Sequence, residues 1–190
     1  MRIIAGRFKG RRLRAPTWDG LRPTSDRLRE TLFNVLAARV AGARVLDGFA
    51  GTGAVGLEAL SRGAAHVTFV EQDRRAAALI ADNAATCGLD GRRDYTVERG
   101  AFVSVARRLG RGSFDLILLD PPYEATGLVD ALEAARPLLS EGGVMVLERA
   151  TRRPPPVPDG LTQLRDIRSG DSTLTMLATI AGADDPPETP

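Results

Sequence analysis

Five short apolar runs recur along the chain, each followed by a stretch with helical spacing, and this alternation restricts the fold more than any other feature. The runs lie at 43–47, 66–71, 95–98, 114–120 and 144–148, with helical patterns over 54–62, 73–87, 101–109 and 126–139 between them. Strands that alternate with helices imply a parallel sheet covered on both faces, and the nearly continuous runs VLD, LILLD and VMVLE agree with burial on both sides. Residues 24–40 read as a further helix, with Leu28, Leu32, Val35 and Leu36 on one face, Thr24 or Ser25 as its cap and Pro23 just outside. The run RRPPPVPDG at 152–160 is a loop, and 161–168 and 172–180 alternate enough to form two closing strands, antiparallel at the sheet edge. The expected architecture is one α/β domain over 24–181, with a doubly wound, mostly parallel, seven-stranded sheet. A small basic hairpin or arm over 1–23 precedes it, and a disordered tail over 182–190 follows.

With 190 residues, 43% of them hydrophobic and 26% charged, the chain supports one core and is too apolar for disorder. No apolar run approaches the roughly 20 residues of a membrane helix, and the opening MRIIAGRFK lacks the apolar stretch of a secretory signal. A single cysteine, Cys87, and a single histidine, His66, make neither a disulfide nor a Cys/His zinc site. Both read as structural residues. The expectation is a cytoplasmic, metal-free protein, working as a monomer and away from membranes.

The net charge of +2 conceals an asymmetry. Residues 1–30 hold nine basic side chains against three acidic ones, an excess of six, so the other 160 carry a net −4. Charge concentrated at one end is the footprint of a phosphate-rich partner, although a solvated basic face is the plain alternative.

Two motifs carry chemistry. The first, Val45-Leu46-Asp47-Gly48-Phe49-Ala50-Gly51-Thr52-Gly53-Ala54-Val55-Gly56, follows a predicted strand and opens a predicted helix. Its glycines 51, 53 and 56 satisfy GxGxxG, and Glu71 lies 20 residues beyond Gly51, where a carboxylate accepts from ribose hydroxyls. A nicotinamide or flavin dinucleotide and S-adenosylmethionine both fit this pattern. Asp47 favours the latter, because a carboxylate just before the turn repels a pyrophosphate and suits a sulfonium and an amino group. The second motif, Asp120-Pro121-Pro122-Tyr123, ends the fourth predicted strand on the same edge. An exocyclic amine on a base is a poor nucleophile. Asp120 and the Pro121 carbonyl can accept its two N–H bonds and align it, while Tyr123 stacks on the base.

These motifs resemble the amino-methyltransferase group of Rossmann-like, class I methyltransferases. The segment Arg22-Pro23-Thr24-Ser25-Asp26-Arg27-Leu28-Arg29-Glu30-Thr31-Leu32-Phe33-Asn34 is more specific. With Arg2-Ile3-Ile4-Ala5-Gly6, Gly56-Leu57-Glu58-Ala59-Leu60-Ser61-Arg62-Gly63 and Gly170-Asp171-Ser172-x-Leu174, it resembles the RsmD family over about residues 2–180. The resemblance implies methyl transfer to the N2 amine of a guanine in 16S ribosomal RNA, within the small subunit or an assembly intermediate. It implies that Asp47, Gly48, Ala50, Gly51, Thr52, Gly53, Glu71, Gln72 and Asp120 hold S-adenosylmethionine, and that Asp120, Pro121, Pro122 and Tyr123 take the guanine. Arg7, Lys9, Arg11 and Arg12 would grip RNA phosphates, and Arg22, Thr24 and Arg27 would close over cofactor or RNA. The chain departs from the family at Gly48, usually a bulky apolar residue, where a looser loop is expected. It also departs at Arg99-Gly100-Ala101, which lacks an acidic residue and leaves adenine contacts to the backbone of Gly100 and Ala101. Glu58 is expected to cap or brace its helix. The readings held beside this one are the same chemistry on DNA adenine N6 or another RNA base, a non-catalytic RNA-binding factor, and a nicotinamide enzyme.

Overall fold

The computed structural model describes residues 1–18, 24–121, 127–152 and 154–180. Its centre is a seven-stranded sheet of β1 (Arg44–Gly48), β2 (His66–Glu71), β3 (Tyr95–Arg99), β4 (Phe114–Leu119), β5 (Leu139–Ala150), β6 (Leu161–Ser169) and β7 (Ser172–Thr179). The order is β3-β2-β1-β4-β5-β7-β6. The first five in that order run parallel, whereas β7 is antiparallel to both β5 and β6. The expected strands are all present, and the closing pair is antiparallel at the edge. Strand order reverses between β1 and β4, which opens a crevice at the carboxyl ends of the strands.

Alternate side chains divide the interior into two layers. Val45, Val67 and Phe69 pack with Phe33, Leu57 and Ile80 on one face. Leu46, Ile117 and Met145 pack with Phe102, Val105 and Leu132 on the other. The first layer is covered by α1 (Asp26–Val35), α2 (Ala37–Val40), α3 (Ala54–Ser61) and α4 (Arg74–Thr86). The second is covered by α5 (Phe102–Ala106) and α6 (Leu128–Ala135).

Where a single helix is expected over 24–40, the chain breaks at Leu36, with φ −87° and ψ 0°. Apolar residues at every fourth position drift about 40° per step around a helix of 3.6 residues per turn. The break brings Val40 back to the core, which Leu28, Leu32 and Leu36 also enter. Ser25 is the cap, accepting from the Leu28 N–H at 3.2 Å. The helix expected over 126–139 ends at Ala135 and tightens into a 3-10 turn at Arg136–Leu138, because Pro137 brings no donor.

The N-terminal segment is built into the domain. Arg2 and Arg12 form an antiparallel bridge, and Ile3, Phe8 and Leu13 are buried in the first layer. Glu58, itself fully buried, accepts from the N–H groups of Ile4 and Ala5 at 2.7 and 2.9 Å and from Arg62 Nε at 2.8 Å. It braces the hairpin as well as its own helix. Gly6 packs so closely on the end of α3 that a Cβ there would lie 1.9 Å from the Ser61 carbonyl oxygen. The tail expected to be disordered lies outside the described residues.

Candidate methyl-transfer site

The loop from β1 to α3 turns at the crevice. Phe49 takes φ +65°, Gly51 φ +55° and Gly53 φ +75°, the left-handed turns that glycine permits at the second and third of these positions. Gly56 serves packing: a Cβ there would lie 2.3 Å from the Phe69 ring. Gly48 does not loosen the loop, contrary to the sequence expectation. Its missing Cβ would sit 2.7 Å from both Leu119 Cδ2 and Phe102 Cε2, so these side chains occupy the space that a bulky residue would need. Phe102 in turn stacks on Phe49 at 5.1 Å, which steadies the turn from below.

Two carboxylates tie the loop down. Asp47 Oδ2 accepts from the Gly56 N–H and Glu71 Oε2 from the Gly51 N–H, both at 2.8 Å. The other Glu71 oxygen accepts from the Asp73 N–H. Ala50 donates to the Val70 carbonyl, and Thr52 is held through its own carbonyl by Asn83 Nδ2 at 3.0 Å. Asp47, Ala50, Gly51, Thr52, Gly53 and Glu71 therefore come together as the sequence suggests. Gln72 is exposed beside them. Gly100, with its N–H on the Glu71 carbonyl, and Ala101, exposed at the cap of α5, line the neighbouring strand end.

Asp120 stands across the crevice, one residue past β4. Thr24, 96 positions away in the chain, donates its hydroxyl to Asp120 Oδ2 at 3.0 Å. Pro121 is buried next to it. Glu148, near the end of β5, neighbours Asp120 across the parallel register, adds its like charge to the surroundings of that carboxyl, and accepts from Ser172 Oγ at 3.2 Å. The sequence reading missed Glu148. The signal was nonetheless there: HVTFVE, FDLILLD and VMVLE each end an apolar run in an acid, as VLD does at Asp47.

Four carboxylates thus gather at adjacent strand ends, and their mutual repulsion is visible. Burial pushes the Asp47 carboxyl up to about 8, against the Gly56 hydrogen bond, with the charges of Asp120 and Glu71 adding to the rise. Burial likewise pushes Asp120 up to about 7, helped by Glu148. Among the described residues no cationic side chain pairs with Asp47 or Asp120, and no three carboxylates converge to hold a metal ion. Such a set opposes a pyrophosphate. It fits a ligand that brings its own positive charges, as the sulfonium and ammonium of S-adenosylmethionine do.

The expected RNA contacts divide. Arg22, Pro122 and Tyr123 lie outside the described residues, while Arg27 is exposed on α1 near Thr24. The hairpin tip lies at the opposite edge of the sheet. Arg7 donates its N–H to the carbonyl of Ser61, the last residue of α3, and Arg11 reaches the carbonyl of Thr86, the last of α4. The guanidinium groups of Arg7 and Arg11 lie 4.4 and 5.5 Å from the Phe8 ring centre. Lys9 and Arg12 are exposed on the same hairpin. A strand length, roughly 20 Å, separates this tip from Asp120.

Sheet order, glycine loop and acidic strand ends together define a Rossmann-like, class I methyltransferase fold. The family model described as Conserved hypothetical protein 95 matches residues 1–178. The chain is 34% identical to the Ribosomal RNA small subunit methyltransferase D of Haemophilus influenzae, covering 90% of this chain and 89% of that one. It is 43% identical to the protein of the same name from Escherichia coli, over 75% and 68% of the two chains. The solved structure of the Escherichia coli protein yhhF, described as a methyltransferase, matches with a TM-score of 0.82 at 31% identity, covering 94% of this chain and 97% of that one. The chain belongs to this family, the RsmD family.

Proposed function

We propose that this chain transfers the methyl group of S-adenosylmethionine to the exocyclic N2 amine of a guanine in 16S ribosomal RNA. The observation that carries the reading is Asp120. It is a half-buried acceptor at the end of β4, held by Thr24 and facing the glycine loop, in a chain whose relatives are named for small-subunit ribosomal RNA methylation. The chemistry supplied by S-adenosylmethionine is an electrophilic methyl carbon on a positively charged sulfur. Asp47 would orient that ligand by charge, on a loop whose own N–H groups are spent in holding its shape, and Glu71 would stand beside the ribose. Asp120 and the Pro121 carbonyl accept the two amine N–H bonds, which directs the nitrogen lone pair at the methyl group. Once methylated, the amine would have one proton to shed, and the Asp120 carboxylate, held by Thr24, would be placed to take it. Positioning and electrostatics carry the rate, and no strong base is needed.

Pro122 and Tyr123 complete the base pocket, with Tyr123 stacking on the guanine, and Arg22, Thr24 and Arg27 close the crevice from the N-terminal side. Gln72, Gly100 and Ala101 flank the adenosine. Arg7, Lys9, Arg11 and Arg12 bind phosphates roughly 20 Å from the target, so the substrate is a folded RNA broad enough to touch both edges of the sheet. A ribosomal particle in the cytoplasm meets that demand. Among the described residues no helix is long and apolar enough to cross a membrane.

The test supplies tritiated S-adenosylmethionine and small ribosomal subunits from a strain lacking this gene, followed by nucleoside digestion. Label in N2-methylguanosine is the expected result. Label in N6-methyladenosine or another nucleoside would overturn the guanine assignment while leaving the chemistry of the site intact.

A further inference from the structure

We infer that Asn83 is a positioning residue for the cofactor: its amide clasps the base of the N-terminal hairpin and the glycine loop together, so that the hairpin serves as the back support of that loop. This rests on the reading of the loop as the S-adenosylmethionine site. Asn83 lies on α4 and is fully buried. Its Oδ1 accepts from the Arg14 N–H at 2.7 Å, while its Nδ2 donates to the Arg14 carbonyl at 3.3 Å and to the Thr52 carbonyl at 3.0 Å. Both amide hydrogens are therefore used, one on the hairpin and one on the loop. A reversed amide would set its oxygen against two carbonyls and its nitrogen against an N–H, so these three partners fix its orientation.

Thr52 is the point on which the hairpin bears. Its hydroxyl donates to the Met1 sulfur at 3.6 Å, and the Leu13 N–H donates to the Met1 carbonyl at 3.2 Å, so both ends of the hairpin meet at this residue. The Thr52 carbonyl shares a rigid peptide plane with the Gly53 N–H, which donates to the Ala50 carbonyl at 2.8 Å. Asn83 holds that plane at its carbonyl end and Ala50 holds it at its N–H end. Gly51 and Gly53 flank Thr52, both at positive φ, and their backbone freedom leaves the plane little resistance of its own to turning. Without Asn83, the buried Thr52 carbonyl loses its donor, and a turn towards water would carry the Gly53 N–H away from Ala50. The neighbouring Arg14–Asp82 ion pair is exposed on both sides and does not replace a buried clasp.

Two variants, a control and two readouts test the inference. N83A removes the clasp, whereas N83D keeps the volume and the acceptor for Arg14 but sets a second acceptor against the two carbonyls. L161A, buried at the start of the edge strand β6, weakens the fold without touching the loop. Both Asn83 variants are expected to bind S-adenosylmethionine at least about tenfold more weakly in equilibrium dialysis, with kcat at saturating cofactor near wild type. Hydrogen exchange in the cofactor-free protein reads the loop itself. There the Gly51 and Gly53 amides should lose at least about tenfold in protection relative to the amides of β4, and L161A should change neither this ratio nor the affinity. Unchanged affinity in both Asn83 variants, or loop protection that falls no further than in L161A, would overturn the inference. Should N83A fail to fold, N83D carries the test at conserved packing volume. Failure of the wild type to bind S-adenosylmethionine would instead overturn the reading of the site, and the exchange ratio would still decide the role of Asn83.

Discussion

Buried acids occur in two regions of this molecule and are treated in opposite ways. At the seam between the N-terminal hairpin and α3, Glu58 is fully buried and saturated by two backbone N–H groups and Arg62. Nearby, fully buried Arg29 is bonded to Asp26, the Arg2 carbonyl and the Ala54 carbonyl. At the crevice, Asp47 and Asp120 are surrounded by further acids, with no cationic partner among the described residues. Charges that the protein compensates itself are structural, and charges left to be compensated mark where a cationic ligand belongs.

The comparison can be broken by mutation. The largest effect is expected from Asp120→Ala, which should lose at least about 10²-fold in methyl transfer while still binding S-adenosylmethionine, measured by turnover and by equilibrium dialysis. Full turnover in that variant would remove Asp120 from the reaction. At the seam, Glu58→Ala should cost about 3 kcal/mol in urea unfolding, because it strands two backbone donors and a partly buried guanidinium. A loss below about 0.5 kcal/mol would mean that the hairpin does not depend on this brace.

Asp47→Asn should do the reverse at the crevice. The amide oxygen still accepts from Gly56, the carboxyl that must hold a proton to stay buried is gone, and the cofactor-free protein should gain about 1–2 kcal/mol near neutral pH while binding S-adenosylmethionine at least tenfold more weakly. The sign follows from the raised carboxyl. Between its ordinary 3.8 and about 8 the folded chain keeps a proton that the unfolded chain has released, so stability falls as pH rises through that window. The variant should flatten this fall. A bound cation returns Asp47 to its ionised form, so binding should release protons below about pH 8 and tighten as pH rises towards neutrality. Calorimetry in buffers of different ionisation enthalpy reads that release. The smallest effect is at Gly48→Ala, about 1 kcal/mol from crowding Phe102 and Leu119, and Phe102→Leu should relieve it in the double variant.

Much of this architecture was legible along the chain. Apolar runs closed by acids, glycines at 51, 53 and 56, and the helical spacings between them are local signals, and they located all seven strands and placed Asp47, Glu71 and Asp120 at one sheet edge. The break at Leu36 escaped, because spacing by four residues continues across it. Periodicity reports which face a residue takes, and turn chemistry reports where the chain reverses; both depend on neighbours in sequence.

Through-space partnership is a different matter, and it was settled only when the strands took their places. Nothing local joins Thr24 to Asp120 across 96 positions, Ser172 to Glu148, or Glu58 to the N–H groups of Ile4 and Ala5. The same holds for Gly48, whose small size looked like freedom and proved to be space taken by Phe102 and Leu119. It holds too for the basic hairpin, whose tip lies a strand length from the acids of the crevice. The chain carries the identity of each acid, but the order β2-β1-β4-β5 decides which acids stand together, and electrostatic energy depends on that distance and burial.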